Sequence, residues 1–186
     1  MTFDLAMLMR KDHHESSDIQ TISDLNRPTR EYQYGAVAGG STYNFIQRNH
    51  IYTYGQLSVA DRAGTLPRSV EEGVQRVRES TESQPYILIG EQYMLEYHAS
   101  QSPCDLVVVK GDATVMEGEY HLAVKRGVDQ HMVNMLEGAL GQVKESGRLD
   151  ELYNKWWKER SQCNAAPETE GSGEFEGEGA WWRTRN

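Results

Sequence analysis

Between Pro85 and Gly90 the chain runs Pro85-Tyr86-Ile87-Leu88-Ile89-Gly90, and Glu91 follows at once. A strand with one wet face alternates apolar and polar residues. An unbroken apolar run of strand length is the mark of a strand covered on both faces. Other segments take the same part. Tyr32-Gln33-Tyr34-Gly35-Ala36-Val37 alternates and stops at Gly39-Gly40, while Leu106-Val107-Val108-Val109 and Tyr120-His121-Leu122-Ala123-Val124 are further apolar runs. Helical signals lie between and after them. Ser41-Thr42 opens a helix through about Arg48, with Phe45 and Ile46 on its inner face. Ser69-Val70-Glu71-Glu72 is a capping box, and the helix behind it carries Val70, Val74 and Val77 at helical spacing. Glu91 begins a helix through about Tyr97, and two more run from about Val128 to Lys144 and from about Leu149 to Lys158. Strands alternating with helices predict an α/β fold, a mainly parallel sheet flanked by helices.

The 186 residues suit one domain with a short tail. A net charge of −9 argues against a nucleic-acid partner, because phosphate binding needs a concentrated basic face. No run reaches the roughly 18–20 apolar residues needed to cross a bilayer. The start, Met1-Thr2-Phe3-Asp4-Leu5-Ala6-Met7-Leu8-Met9-Arg10, is neither a complete signal peptide nor a membrane helix. Residues 11–31 have the composition of a linker followed by a short helix opened by Ser23 or Asp24. Residues 164–186 are rich in Gly and Glu, a disordered composition, and Trp181-Trp182 near the end has no physical account in the sequence. The cysteines, Cys104 and Cys163, are compatible with free thiols, a disulfide or half a metal site. No CxxC spacing accompanies them and His13-His14 lies far off, so zinc is not expected.

Ligands of open parallel sheets bind beyond the carboxyl ends of strands, and two polar features fall there. At Gly39-Gly40-Ser41-Thr42 the glycines allow close backbone approach. The following helix points its leading N–H groups and positive dipole end forward, and two hydroxyls add donors. That corner suits a carboxylate or phosphate; the plain alternative is an ordinary helix cap. Glu91, at a strand end and a helix start, either stabilises its own helix dipole or receives an ammonium group. Together the two would match both poles of an amino acid. No nucleophile elbow, P-loop, HExxH or dinucleotide fingerprint is present, so an enzyme is not expected, nor a cofactor.

Tyr34-Gly35-Ala36-Val37-Ala38-Gly39-Gly40-Ser41-Thr42-Tyr43-Asn44-Phe45 resembles the strand–turn–helix of the ligand-binding core of ionotropic glutamate receptors. Glu72 to Arg78 is similar to that family's next helix. Tyr86 to Glu91, with Met94 and Glu96-Tyr97, resembles its strand and ligand-binding acid. Pro103-Cys104-Asp105 and Asn154-Lys155-Trp156-Trp157 with Cys163 resemble the two ends of its disulfide, and Ile19 to Leu25 its re-entry after the third membrane helix. Thr2-Phe3-Asp4-Leu5-Ala6 looks like a worn end of that helix.

The resemblance implies one lobe of a periplasmic-binding-protein-like clamshell, the second lobe of the ligand-binding domain, over residues 19–163. Residues 1–18 would be a pore-helix remnant and linker. It implies that Ser41 and Thr42, with Gly40, hold the distal carboxylate of a glutamate-like ligand. Glu91 would hold its ammonium, Met94 would line the pocket, and Tyr120 would stand at the cleft mouth. Cys104 and Cys163 would be disulfide-bonded, as suits an extracellular setting. The implied partners are glutamate or glycine, the first lobe and pore of the same receptor, and other subunits of a tetramer. The implied location is the outer side of the plasma membrane.

The departures are a missing first lobe, missing membrane helices, His121 where glycine is usual, and Gly90 where a larger residue is common. Two other functions stay open: a soluble amino-acid-binding protein of the solute-binding class, and a receptor fragment that binds nothing.

Overall fold

A computed structural model of the protein describes residues 2–48, 54–111 and 117–163. Residues 164–186, including the tail expected to be disordered and Trp181-Trp182, lie outside the described residues.

The sheet is organised around β1, Thr2–Arg10. It pairs antiparallel with β3 (Tyr86–Glu91) on one side and β4 (Leu106–Lys110) on the other, with Met7 opposite both Ile89 and Val109. β2 (Gln33–Gly35) adds to the outer side of β3 in parallel, so the strand order is β2-β3-β1-β4. β5 (Glu117–Glu119) pairs with the first residues of β1.

The α/β class is as the sequence indicates. The sheet is mixed, however, rather than mainly parallel. β2, β3 and β4 all run in one direction, and β1 enters between the latter two in the opposite sense. Residues 2–10, within the stretch 1–18 expected as a pore-helix remnant and linker, form the central strand here. Leu5-Ala6-Met7-Leu8-Met9 is at most 3% exposed and is the centre of the sheet.

Side chains leave β1 alternately, and both directions are covered. Leu5, Met7 and Met9 join Ile87, Ile89 and Val109 in one core cluster. There they meet Tyr43 and Ile46 of α2 (Ser41–Arg48) and Leu57 of α3 (Tyr54–Arg62). Ala6 and Leu8 join Leu88 and Leu106 in the other. There they meet Val74 and Val77 of α4 (Val70–Glu79) and Leu95 of α5 (Gln92–Ala99). Burying each such Val, Leu, Ile or Met stabilises the fold by about 1.5–3 kcal/mol.

Local signals set the boundaries. Ser69 Oγ accepts from the Glu72 amide at 3.2 Å, the capping bond that the sequence predicts, while Glu72 Oε2 reaches one residue past the cap and accepts from the Arg68 amide at 2.8 Å. The short helix expected at Ser23 or Asp24 is a 3₁₀ turn, Ile22–Asn26. Its Asp24 carboxylate accepts from the Gln20 and Thr21 amides at 2.9 and 2.7 Å.

The connection from β1 to that turn begins with α1, Lys11–Glu15, which folds onto the sheet's end. Arg10 grips Asp12 and donates to the Arg78 carbonyl at 2.9 Å, and the Lys11 amide donates to the Asp105 carbonyl at 2.8 Å. His13 is buried behind it, with Nδ1 3.3 Å from Ser80 Oγ.

The expected strand at Tyr120 to Val124 does not form. The strand lies earlier, at Glu117–Glu119, and Leu122 and Val124 are 65% and 48% exposed. Beyond them, α6 (Gln130–Glu145) has no buried residue, and Met132, Met135, Leu136, Leu140 and Val143 stand exposed along it. α7 (Arg148–Tyr153) continues into a π-helical turn, Asn154–Glu159. Trp157 stacks on Tyr153 with ring centres 5.4 Å apart and donates to the Tyr93 carbonyl of α5 at 2.6 Å. The Cys104–Cys163 disulfide closes this arm against the start of β4. On the chain-entropy model a loop of that length contributes about 4 kcal/mol.

Two outcomes follow from this packing. Gly111 sits where a Cβ would lie 2.3 Å from the Leu5 carbonyl oxygen, a backbone atom that cannot rotate away. Gly111→Ala is expected to destabilise the protein by about 1–3 kcal/mol in urea unfolding, and an unchanged midpoint would refute that packing.

Burial, first of all, pushes the His13 imidazole below its usual value of 6.5. Asp12 and Glu82 oppose this, while Arg10 and Arg30 add to it. The folded state therefore holds His13 neutral, and its contribution is lost as pH falls below about 6.5. His98 is displaced in the same direction by burial. The parent should thus lose more stability than His13→Gln between neutral pH and pH 5, and parallel urea-midpoint curves would refute the assignment.

Candidate functional site

Two chain corners meet at one end of the sheet. The first follows β2. Gly39 takes a left-handed conformation, φ +66°, that a side chain would strain, and the Gly40 amide donates to the Val37 carbonyl at 3.0 Å. This turn reverses the chain so that α2 begins at Ser41 with its amino end toward the end of β3. The leading amides of a helix have no intrahelical partners and sit at its positive dipole end. α2 is fixed from behind by buried Ile46 and by the Tyr43 hydroxyl, which donates to Asp61 Oδ2 of α3 at 2.9 Å.

The second corner is the passage from β3 to α5. Glu91 ends the strand and is the N-cap residue of α5 by its backbone angles, φ −72° and ψ 130°. Its carboxylate makes no capping bond. Instead Ser41 Oγ donates to Oε1 at 2.9 Å, and the Tyr120 hydroxyl donates to Oε2. Glu91 thus stands at the start of α5 without capping it through its side chain. It faces sideways, toward α2.

Between the corners lies a hollow of 180 Å³, lined by Gly40, Ser41, Thr42, Glu91 and Met94, with Val37, Val70, Leu88 and Leu95 among its apolar walls. Ligand clefts typically measure about 300–1,000 Å³, so this hollow has the size of part of one. Of the residues singled out in the sequence, Ser41, Thr42, Glu91, Gly40 and Met94 share this wall. Tyr120 reaches it only through its bond to Glu91. The lining carries one acidic side chain and no Lys or Arg. Burial first, then the hydrogen bond to Glu91 and that residue's charge, push the Tyr120 phenol well above its usual range, so it remains a donor at neutral pH. Among the described residues no cluster of His, Cys, Asp or Glu is arranged to hold a metal, and no helix is long and apolar enough to cross a membrane.

Comparison with known proteins bears on this arrangement. The chain is 30% identical over 152 residues to glutamate receptor 3 of Rattus norvegicus and, equally, to glutamate receptor 3 of Homo sapiens. The match covers 80% of this chain and 16% of each receptor. No protein-family model matches it. Over that stretch the chain is related to glutamate receptors. This glutamate-receptor-related segment thus spans about a sixth of the length of the curated relatives, which are named as receptors and not as enzymes.

Sequence reasoning missed the apolar part of the hollow, Val37, Val70, Leu88 and Leu95. The signal for Val70 was available, because the capping box fixes it in the first turn of α4. Leu88 and Leu95 gave no sign, since an apolar strand or helix residue looks the same whether it faces a core or a cleft.

The bond between Glu91 and Tyr120 can be checked spectroscopically. With Tyr ring carbons labelled, Tyr120 of the parent should show no titration up to about pH 11. In Glu91→Gln the tyrosine should titrate at lower pH, because one acceptor charge has gone. Identical titration in both would show that the two side chains do not meet.

Proposed function

We propose that residues 2–163 of this glutamate-receptor-related segment are the second lobe of an amino-acid-binding clamshell, part of a ligand-gated channel receptor at the outer face of the plasma membrane. The single observation carrying the reading is the hollow that joins the amino end of α2 to the Glu91 carboxylate. A zwitterion has one pole for each. In this reading a distal carboxylate sits before Ser41 and Thr42, in contact with backbone amides and hydroxyls, and the α-ammonium pairs with Glu91. Charge-assisted bonds of this kind are about twice as strong as neutral ones. Met94 borders the ligand, and Tyr120 holds Glu91 in place.

A glutamate-like ligand has a third charged group, its α-carboxylate. Among the described residues the hollow has no Lys or Arg for it, and in this reading a first lobe supplies its partner. The exposed row from Met132 to Val143 on α6 supports the same division. Such a stripe on a folded monomer marks a contact surface, and the first lobe of the same receptor is its proposed partner. The Cys104–Cys163 disulfide agrees with an oxidising, extracellular location. Closure of the two lobes over the ligand would then be a hinge motion transmitted to a pore, alongside other subunits.

The test is a fusion of residues 2–163 to the first lobe of glutamate receptor 3, titrated with L-glutamate and with glycine by calorimetry. The fusion is expected to bind glutamate, and Glu91→Ala should weaken it on the order of 10- to 100-fold. Equal affinity of the parent fusion and Glu91→Ala would refute the site. The unfused chain, with half of the contacts, is expected to bind far more weakly than the fusion.

A further inference from the structure

At the outer edge of the sheet α3 packs against β2, and beside them lies an open pocket of 710 Å³. Tyr32, Tyr34 and Tyr86 contribute to its wall, Ala60 of α3 lies among them, and Thr65 and Arg76 are at its border. The volume lies within the range of small-molecule sites, roughly 300–1,000 Å³. β2 is the outermost strand, so one side of its backbone takes no part in sheet pairing here.

The hydroxyls of this wall are not alike. Tyr32 accepts from Arg30 Nε at 3.0 Å and lies 3.4 Å from Asp18 Oδ1. Tyr86 is engaged by Arg76. Tyr34 is only 7% exposed, and its hydroxyl has no hydrogen-bond partner among the described residues. A buried hydroxyl in that position forfeits the bonds that it makes in water, and native structures rarely leave one so. Burial lifts its pKa to about 12, so it stays a neutral donor.

The charge at the border limits what could answer it. Arg76 gives one amino group to Glu72 Oε1 at 2.5 Å and another to the Thr65 carbonyl. Its positive charge is thus already matched, and an anion would gain little there.

We infer that the cavity behind β2 is a second small-molecule site, for an uncharged, flat, mostly apolar compound whose carbonyl oxygen accepts from the Tyr34 hydroxyl. The site is independent of Glu91 and of the clamshell reading.

Acetophenone, which has the acceptor, and ethylbenzene, which lacks it at similar shape, are suitable probes of the full chain by amide NMR titration. Shifts from both are expected at β2 and α3. Tyr34→Phe keeps the ring and should weaken acetophenone roughly 2- to 13-fold, the range of one net hydrogen bond, with ethylbenzene unchanged. Ala60→Trp, which fills the space, should abolish both, and Glu91→Ala should alter neither. Absence of shifts at β2 and α3, shifts confined to α6, or equal effects of Tyr34→Phe on the two probes would overturn the inference. Should Tyr34→Phe unfold, the Ala60→Trp comparison decides alone: probes that still bind it at β2 and α3 with parent affinity overturn the site.

Discussion

The antiparallel insertion of Thr2–Arg10 between β3 and β4 holds this molecule together. Without β1, the two apolar strands that give the chain its character would have no common neighbour. Two separate core clusters would each lose strand residues, for Leu5, Met7 and Met9 serve one and Ala6 and Leu8 the other. A strand that contributes to both faces must be apolar at every position. Leu5-Ala6-Met7-Leu8-Met9 is so, while Arg10 marks the point where the chain leaves the sheet and pairs with Asp12. α1 and the segment behind it are consequences of that exit. They are tied down by the Lys11 amide, which donates to the Asp105 carbonyl, and by the Arg10 guanidinium, which donates to the Arg78 carbonyl.

The same frame places the hollow. β2 and β3 are parallel neighbours, so their carboxyl ends open at the same edge. One strand delivers α2 and the other delivers Glu91. The glycine turn after β2 fixes where α2 starts, and the Tyr43 to Asp61 bond braces that helix against α3. No side chain near Glu91 has to be placed by a long loop except Tyr120. A carboxylate whose neighbours are a strand end, a helix start and a second helix start has little freedom to turn elsewhere. That is why it bonds across to Ser41 instead of folding back to cap α5.

The parts legible in the sequence were those with short-range causes. The α4 capping box, the run from Tyr86 to Glu91 and the start of α2 are each fixed by residues within four or five positions of one another. β1 was not read as a strand because its apolar stretch is short and its resemblance to a membrane-helix end outweighed its pattern. By the rule applied to Tyr86–Ile89, five consecutive apolar residues would have identified a doubly buried strand. The run at Tyr120 to Val124 failed in the opposite sense. It has strand composition, yet among the described residues no strand pairs with it, so composition alone did not make it a strand. That Ser41, Thr42 and Glu91 would share one hollow was legible, because they fall at the strand ends of an open sheet. That Tyr120 would meet Glu91, 29 residues away, depended on tertiary placement that no local pattern records.

The engagement of Glu91 also bears on how a half-site of this kind would behave. Both carboxylate oxygens already accept hydroxyl bonds, from Ser41 and Tyr120. An arriving ammonium gains only the difference between charge-assisted bonds and those neutral ones, less whatever hydroxyl contacts it displaces. A lobe that satisfies itself in this way gains little from a ligand on its own. In the proposed clamshell most of the favourable interaction would then arise only when the second set of contacts closes over the same molecule. A ligand shifts an open–closed equilibrium only by its difference in affinity for the two states. Displacing those hydroxyl bonds costs the same in the open and the closed state, so any bias toward closure in the proposed clamshell would have to come from the contacts that form only on closing.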